Sequence, residues 1–175
     1  GSSGNKAYFQ PLSDAVYSFD DGDKLTSSST VRWGQIDPNY SSIKLFVYSP
    51  LQMEGADITD TPDDFTGPKI TYILPTDHTK HTDFITAVKE VATKGQDGFN
   101  KTVPLTFTHA LTALKFKIGF PATIKSITIS GVYNKAVYTI GTGWGSHEKV
   151  IGDYTVNSVD DIIMMLPLCH FLSQI

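Results

Sequence analysis

Residues 104–133, PLTFTHALTALKFKIGFPATIKSITISGVY, hold the longest run of two-residue hydrophobic alternation in the chain. Leu105, Phe107, His109 and Leu111 share one parity, and Leu114, Phe116, Ile118 and Phe120 share the other. Extended strands require this, because successive side chains leave a strand on opposite faces. The change of parity predicts a bulge or bend near Thr112 and Ala113. Gly119, Pro121 and Thr123 punctuate the run, and Ile124, Ile127 and Ile129 then begin a β-branched strand that stops at Gly131. The two strands are expected to form a hairpin. Phe107, His109, Leu111, Leu114, Phe116, Ile118, Ile127 and Ile129 are the candidate core scaffold, with His109 as a core-edge ring bonded to backbone or hydroxyl.

Upstream, Ala7 to Leu12 reads as one short strand, and Ala15, Tyr17 and Phe19 alternate before the turn signal Asp20-Asp21-Gly22-Asp23. That acidic turn lacks the spaced oxygen ligands and closing Glu of a calcium loop. Ile43 to Tyr48 and Ile70 to Leu74 are strand candidates, separated by a polar loop from Gly55 to Pro68. Phe84, Ala87, Val88 and Val91 fit a helical period, while Phe84, Thr86 and Val88 fit a strand, so periodicity leaves this segment open. Downstream, Tyr133 to Ala136 is expected to turn into a strand over Val137 to Ile140, and Ile162 to Leu166 forms an apolar strand ending at Pro167.

Composition bounds the function. The chain has 175 residues, enough for one full domain, and 40% of them are hydrophobic against 18% charged, which suits a folded core. A net charge of −4, with lysines scattered and Arg32 the sole arginine, leaves no electrostatic footprint for nucleic acid. Cys169 is the single cysteine, so no intrachain disulfide is available.

Catalytic and cofactor motifs are not apparent. There is no G-x-S-x-G, H-E-x-x-H or C-x-x-C. The Gly141-Thr-Gly143-Trp-Gly145 segment lacks the spacing and the following helix of a dinucleotide loop. Asp77, His78, His81 and Asp83 resemble a metal or acid–base cluster, but nothing elsewhere completes a ligand set, so they read as a polar loop. The expectation is a non-enzymatic protein without metal or cofactor. Trp33 and Trp144, with Tyr40 or Tyr48 beside them, are candidate ligand-facing aromatics.

Phe107-Thr-His109-Ala110-Leu111-Thr-Ala-Leu114-Lys115-Phe116-Lys117, then Ile124-Lys-Ser-Ile127-Thr-Ile129-Ser-Gly131-Val132-Tyr133-Asn134, then Met164-Met165-Leu166-Pro167 together resemble the fimbrillin-like (Mfa-like) surface proteins of Bacteroides and relatives. The resemblance implies an all-β fold, a transthyretin-like antiparallel β-sandwich of about seven strands, and makes Phe84 to Val88 a strand. It also implies a structural or adhesive subunit of a surface fimbria or pilus-like assembly, exported as a lipid-anchored precursor to the outer membrane. Its partners would be other fimbrial subunits, or a cell-surface protein or glycan. Assembly would proceed by strand exchange, with Lys6, Tyr8, Phe9 and Leu12 on the analogous edge strand. An alternative reading is a glycan- or protein-binding module using exposed aromatics.

The domain expectation is a flexible leader or tag remnant over 1–5 and a sandwich over 6–162. The terminal segment 163–175 either packs on the domain or begins a truncated second one. Relatives continue into a second sandwich, and those processed at an arginine leave only Arg32 here as a candidate.

Overall fold

The computed structural model describes residues 15–19, 24–27, 32–60, 62–116, 119, 124–157 and 163–167. Its strands are β1 (Ser18–Phe19), β2 (Leu25–Thr26), β3 (Ser42–Ser49), β4 (Ala56–Thr59), β5 (Lys69–Ile73) and β6 (Ile85–Ala92). They continue as β7 (Thr108–His109), β8 (Leu111–Lys115), β9 (Ser126–Thr139), β10 (Gly143–Asn157) and β11 (Ile163–Pro167). Two 3-10 turns, Trp33–Gln35 and His78–Lys80, complete the described elements.

All pairings are antiparallel. One sheet has the order β10-β9-β5-β4, and a second has the order β3-β6-β7. β8 pairs with β11, and the Ala110 amide donates to the Phe84 carbonyl at 2.9 Å, so this pair continues the second sheet from β7. The result is an all-β sandwich. Its core joins Ile70, Tyr72 and Leu74 from the β5 region, Val132 and Ile140 from the β9 region, and Tyr154 and Val156 from β10 to Phe84, Ala110 and Leu111 opposite them.

The two-period pattern settles the ambiguous segment. Ile85 to Ala92 pairs residue for residue with Ser49 to Ser42 of β3. Phe84 and Thr86 are buried, Val88 faces Phe46 and Gly141, and the Thr86 hydroxyl lies 3.2 Å from that of Tyr138 across the sandwich. Ala87 is buried from the opposite face of the strand, which is why the same residues also mimic a helical period.

Four expectations for residues 104–140 are corrected. β8 pairs with β11 in unbroken register from Leu111 to Lys115, so there is no bulge at Thr112 and Ala113. The discontinuity falls at Ala110, where the chain passes from pairing with β6 to pairing with β11. The hairpin partner of β9 is β10, not β8, and β9 runs through both Gly131 and the expected turn at Tyr133 to Ala136. Thr142 closes that hairpin by donating its amide to Thr139 O at 2.9 Å.

Gly131 is where the parity of β9 changes. Ile127 and Ile129 are half-buried, then Val132, Ala136 and Ile140 take over the inward positions. Gly152 pairs with Val132 but Tyr154 pairs with Ile129, so β9 carries one extra residue in this interval. Gly131 sits there at φ +75°, a bulge conformation that an L side chain resists.

A second glycine serves close approach. A Cβ at Gly67, φ +119°, would lie 2.6 Å from Ile140 O and 2.7 Å from the Phe46 ring. Among the described residues nothing lies within 4 Å of a Cβ at Gly131. Gly131→Ala is therefore expected to cost about 1–2 kcal/mol of unfolding free energy, the backbone term alone. Gly67→Ala should cost more, through backbone and clash together, and urea denaturation of the two variants tests that order.

Candidate functional site

The sandwich interior is held by an aromatic group that bridges the sheets. Trp144 on β10 meets Tyr138, Phe84 and Tyr72 at ring-centroid distances of 5.1, 5.9 and 6.5 Å, all edge-on. Phe84 also meets Tyr138 edge-on at 5.4 Å. Edge-to-face pairs of this kind contribute about 0.5–1.5 kcal/mol each beyond their buried area. The Trp144 indole N–H donates to Ala110 O at 2.8 Å, at the residue where the chain changes pairing partner. Trp144 is thus committed to the core and corrects the expectation that it faces a ligand.

The cluster Asp77 to Asp83 resolves into separate local jobs. Asp77 caps the turn His78–Lys80, accepting from the Thr79 amide at 3.0 Å and the Thr79 hydroxyl at 2.7 Å; those bonds hold its carboxyl below the usual carboxylate range. Lys80 pairs with Glu54 at 2.9 Å. His81 packs its ring on Tyr154, with 5.1 Å between centroids. The Nε2–H of His81 faces the Pro75 carbonyl at 2.9 Å and the Tyr154 hydroxyl at 3.0 Å, both as acceptors, while Nδ1 is buried without a partner. Among the described residues no three His, Cys, Asp or Glu side chains converge as a metal site.

Asp83 leaves this loop to bond His109 Nδ1 through Oδ2. The His109 side chain is 76% exposed, so it is a surface residue bonded to Asp83 and not part of the core scaffold. Tyr72 lies fully buried with its hydroxyl unpartnered, and burial, reinforced by Tyr154 and Asp83, pushes the phenol up to about 12.

Of the other scaffold candidates, Leu111 is buried, and Leu114, Ile127 and Ile129 are half-buried against the core. Phe107 is half-buried in the irregular segment before β7. Phe116 is 37% exposed just past the end of β8, which corrects its placement in the core. Ile118 lies outside the described residues, as do Lys6, Tyr8, Phe9 and Leu12. Trp33 is half-buried with its ring edge-on to Phe99 at 5.1 Å.

Sequence reasoning passed over Tyr72, Phe84, Tyr138 and Tyr154 as core members. Alternation marked Tyr72 with Ile70 and Leu74, and would have marked Tyr138 with Ala136 and Ile140 had the strand been carried through Tyr133. Nothing local to Asp83 and His109, which stand 26 positions apart in the chain, announced their pairing.

Sheet edges complete the geometry. Among the described residues β3 pairs only with β6, β4 only with β5, and β8 only with β11. Among the described residues no second strand pairs with β8, and Phe116, just past its end, is 37% exposed. Residues 163–167, expected beyond the domain boundary, pair along the other flank of β8.

An antiparallel sandwich with an aromatic core defines an all-β protein. A family model described as fimbrillin-like matches residues 4–168, and the chain belongs to the fimbrillin-like family. Membership implies a structural cell-surface or fimbrial protein. No curated protein and no solved structure matches the chain.

Two predictions follow from the interior. Trp144→Phe keeps a ring but removes the donor to Ala110 O, and should cost about 1–3 kcal/mol because a buried carbonyl loses its partner; thermal or urea unfolding measures it. Burial holds the His81 imidazole below its ordinary value of 6.5, so the unfolded chain takes up a proton that the folded chain resists. Stability from the neutral ring is complete above pH 6.5 and lost as pH falls below it. His81→Gln, which keeps an N–H for the Pro75 carbonyl, should flatten the decline of the urea midpoint on that acid side.

Proposed function

We propose that this chain is a subunit of a surface fimbria or pilus-like assembly, and that it associates through β-strand pairing. The observation that carries this reading is that, among the described residues, β8 pairs only with β11 and Phe116 at its end is 37% exposed. An added strand there would pair its backbone with that of Leu111 to Leu114, and its inward side chains would cover Phe116. Residues 6–12 are the segment proposed for that position, with Tyr8 and Phe9 on opposite faces and Leu12 sharing the parity of Tyr8. The same segment of a neighbouring subunit could fill the flank equally well, since main-chain pairing does not depend on which chain supplies the strand. A lipid-anchored precursor delivered to the outer membrane is part of the same proposal.

A labelled peptide of residues 6–12, offered to the chain lacking residues 1–13, should bind saturably and raise the thermal midpoint. Phe116→Asp should weaken that binding about tenfold or more, by burying a charge under the added strand. Failure of the peptide to bind, together with an absence of self-association by size-exclusion chromatography and electron microscopy, would remove strand pairing as the mode of action.

A further inference from the structure

We propose that the cleft between the Trp33–Gln35 turn and the loop after β6 is a binding site for a single neutral pyranose ring. The cleft has a volume of about 210 Å³ and is lined by Trp33, Ile36, Asp37, Thr93 and Lys94 among others. Pockets for drug-sized ligands run to roughly 300–1,000 Å³, so this one suits one ring and not an extended chain.

Its walls are built, not incidental. The Thr93 hydroxyl donates to Tyr40 O at 2.6 Å and the Thr93 amide to Ser41 O at 3.0 Å, tying the loop after β6 to the segment that carries Trp33. The Gln35 side chain accepts from the Arg32 amide at 2.7 Å and closes the turn. Phe99 braces the indole edge-on. With Trp144 committed to Ala110 and the core, Trp33 is the tryptophan that lines an open cleft.

The polar groups select the ligand class. Asp37 Oδ1 accepts from the Asn39 amide at 2.9 Å, which leaves Oδ2 as an acceptor, and Lys94 is exposed as a donor. A sugar's hydroxyls both donate and accept, so neighbouring hydroxyls match a carboxylate and an ammonium at the same time. The apolar C–H face of the ring then lies against the indole. One positive and one negative group leave the cleft without net charge, which favours a neutral sugar over an acidic one.

The site is independent of strand pairing. It lies at the Ser42–Ala92 end of the β3–β6 pair, whereas β7 leads into β8 from the Ile85 end.

The test is a proton–nitrogen correlation spectrum of the full chain, in which Trp33→Phe assigns the two indole N–H signals. Methyl glucoside, galactoside and mannoside are titrated to about 50 mM, well above millimolar dissociation constants, with N-acetylneuraminic acid as the charged comparison. At least one neutral glycoside should move the Trp33 signal saturably and leave the Trp144 signal still. Trp33→Ala should weaken binding about tenfold or more, and Asp37→Asn and Lys94→Ala should each weaken it several-fold with the remaining spectrum unchanged. No movement with any neutral glycoside, equal affinity in Trp33→Ala, or tighter binding of the acidic sugar would overturn the proposal.

Discussion

The structure depends on the passage of the chain through Ala110. Two residues before it pair with β6 and five after it pair with β11, so one backbone unit links two halves of a sheet. Such a junction tends to leave buried peptide groups without ladder partners, and each costs free energy if unsatisfied. Both groups of Ala110 are accounted for: the amide donates to Phe84 O, and the carbonyl accepts from the Trp144 indole. The second bond comes from the opposite sheet, so the aromatic interior and the sheet junction hold each other in place.

Much of the remaining architecture follows from the long β9–β10 hairpin. Its 14 and 15 residues exceed what a regular two-stranded ribbon keeps flat, and bulges on both strands interrupt its register. The bulge at Gly131 turns Ile127 and Ile129 and then Val132, Ala136 and Ile140 towards one interior. Without the extra residue, one of these sets would face solvent. β5 then pairs with the Lys135–Thr139 half of β9, which brings Ile70 and Tyr72 under Phe84.

Among the described residues, polar side chains hold turns and loops in place. Asp77 closes a turn, Asp83 anchors a histidine on β7, and burial lowers the pKa of the half-buried His81 imidazole. Outside the core, the described residues include strands with one paired neighbour and an indole in a small cleft, in a chain that belongs to the fimbrillin-like family.

Local patterning by itself marked the strands at Ile43–Tyr48 and Ile70–Leu74, found at Ser42–Ser49 and Lys69–Ile73, and the β-branched run through Ile127 and Ile129, because period and propensity act over a few residues. The ordered pieces FTHALTALKFKI, IKSITISGVYN and MMLP were enough to carry the family resemblance. Tertiary structure alone decided which strands meet. It put the break at Ala110 and not Thr112, carried β9 through Gly131, turned His109 outward to Asp83, and drew Trp144 inward while leaving Trp33 at a cleft. The reason is physical: alternation states that a side chain has two faces to choose between, but the choice belongs to the strand that packs or pairs against it, which is set by residues far away in the chain.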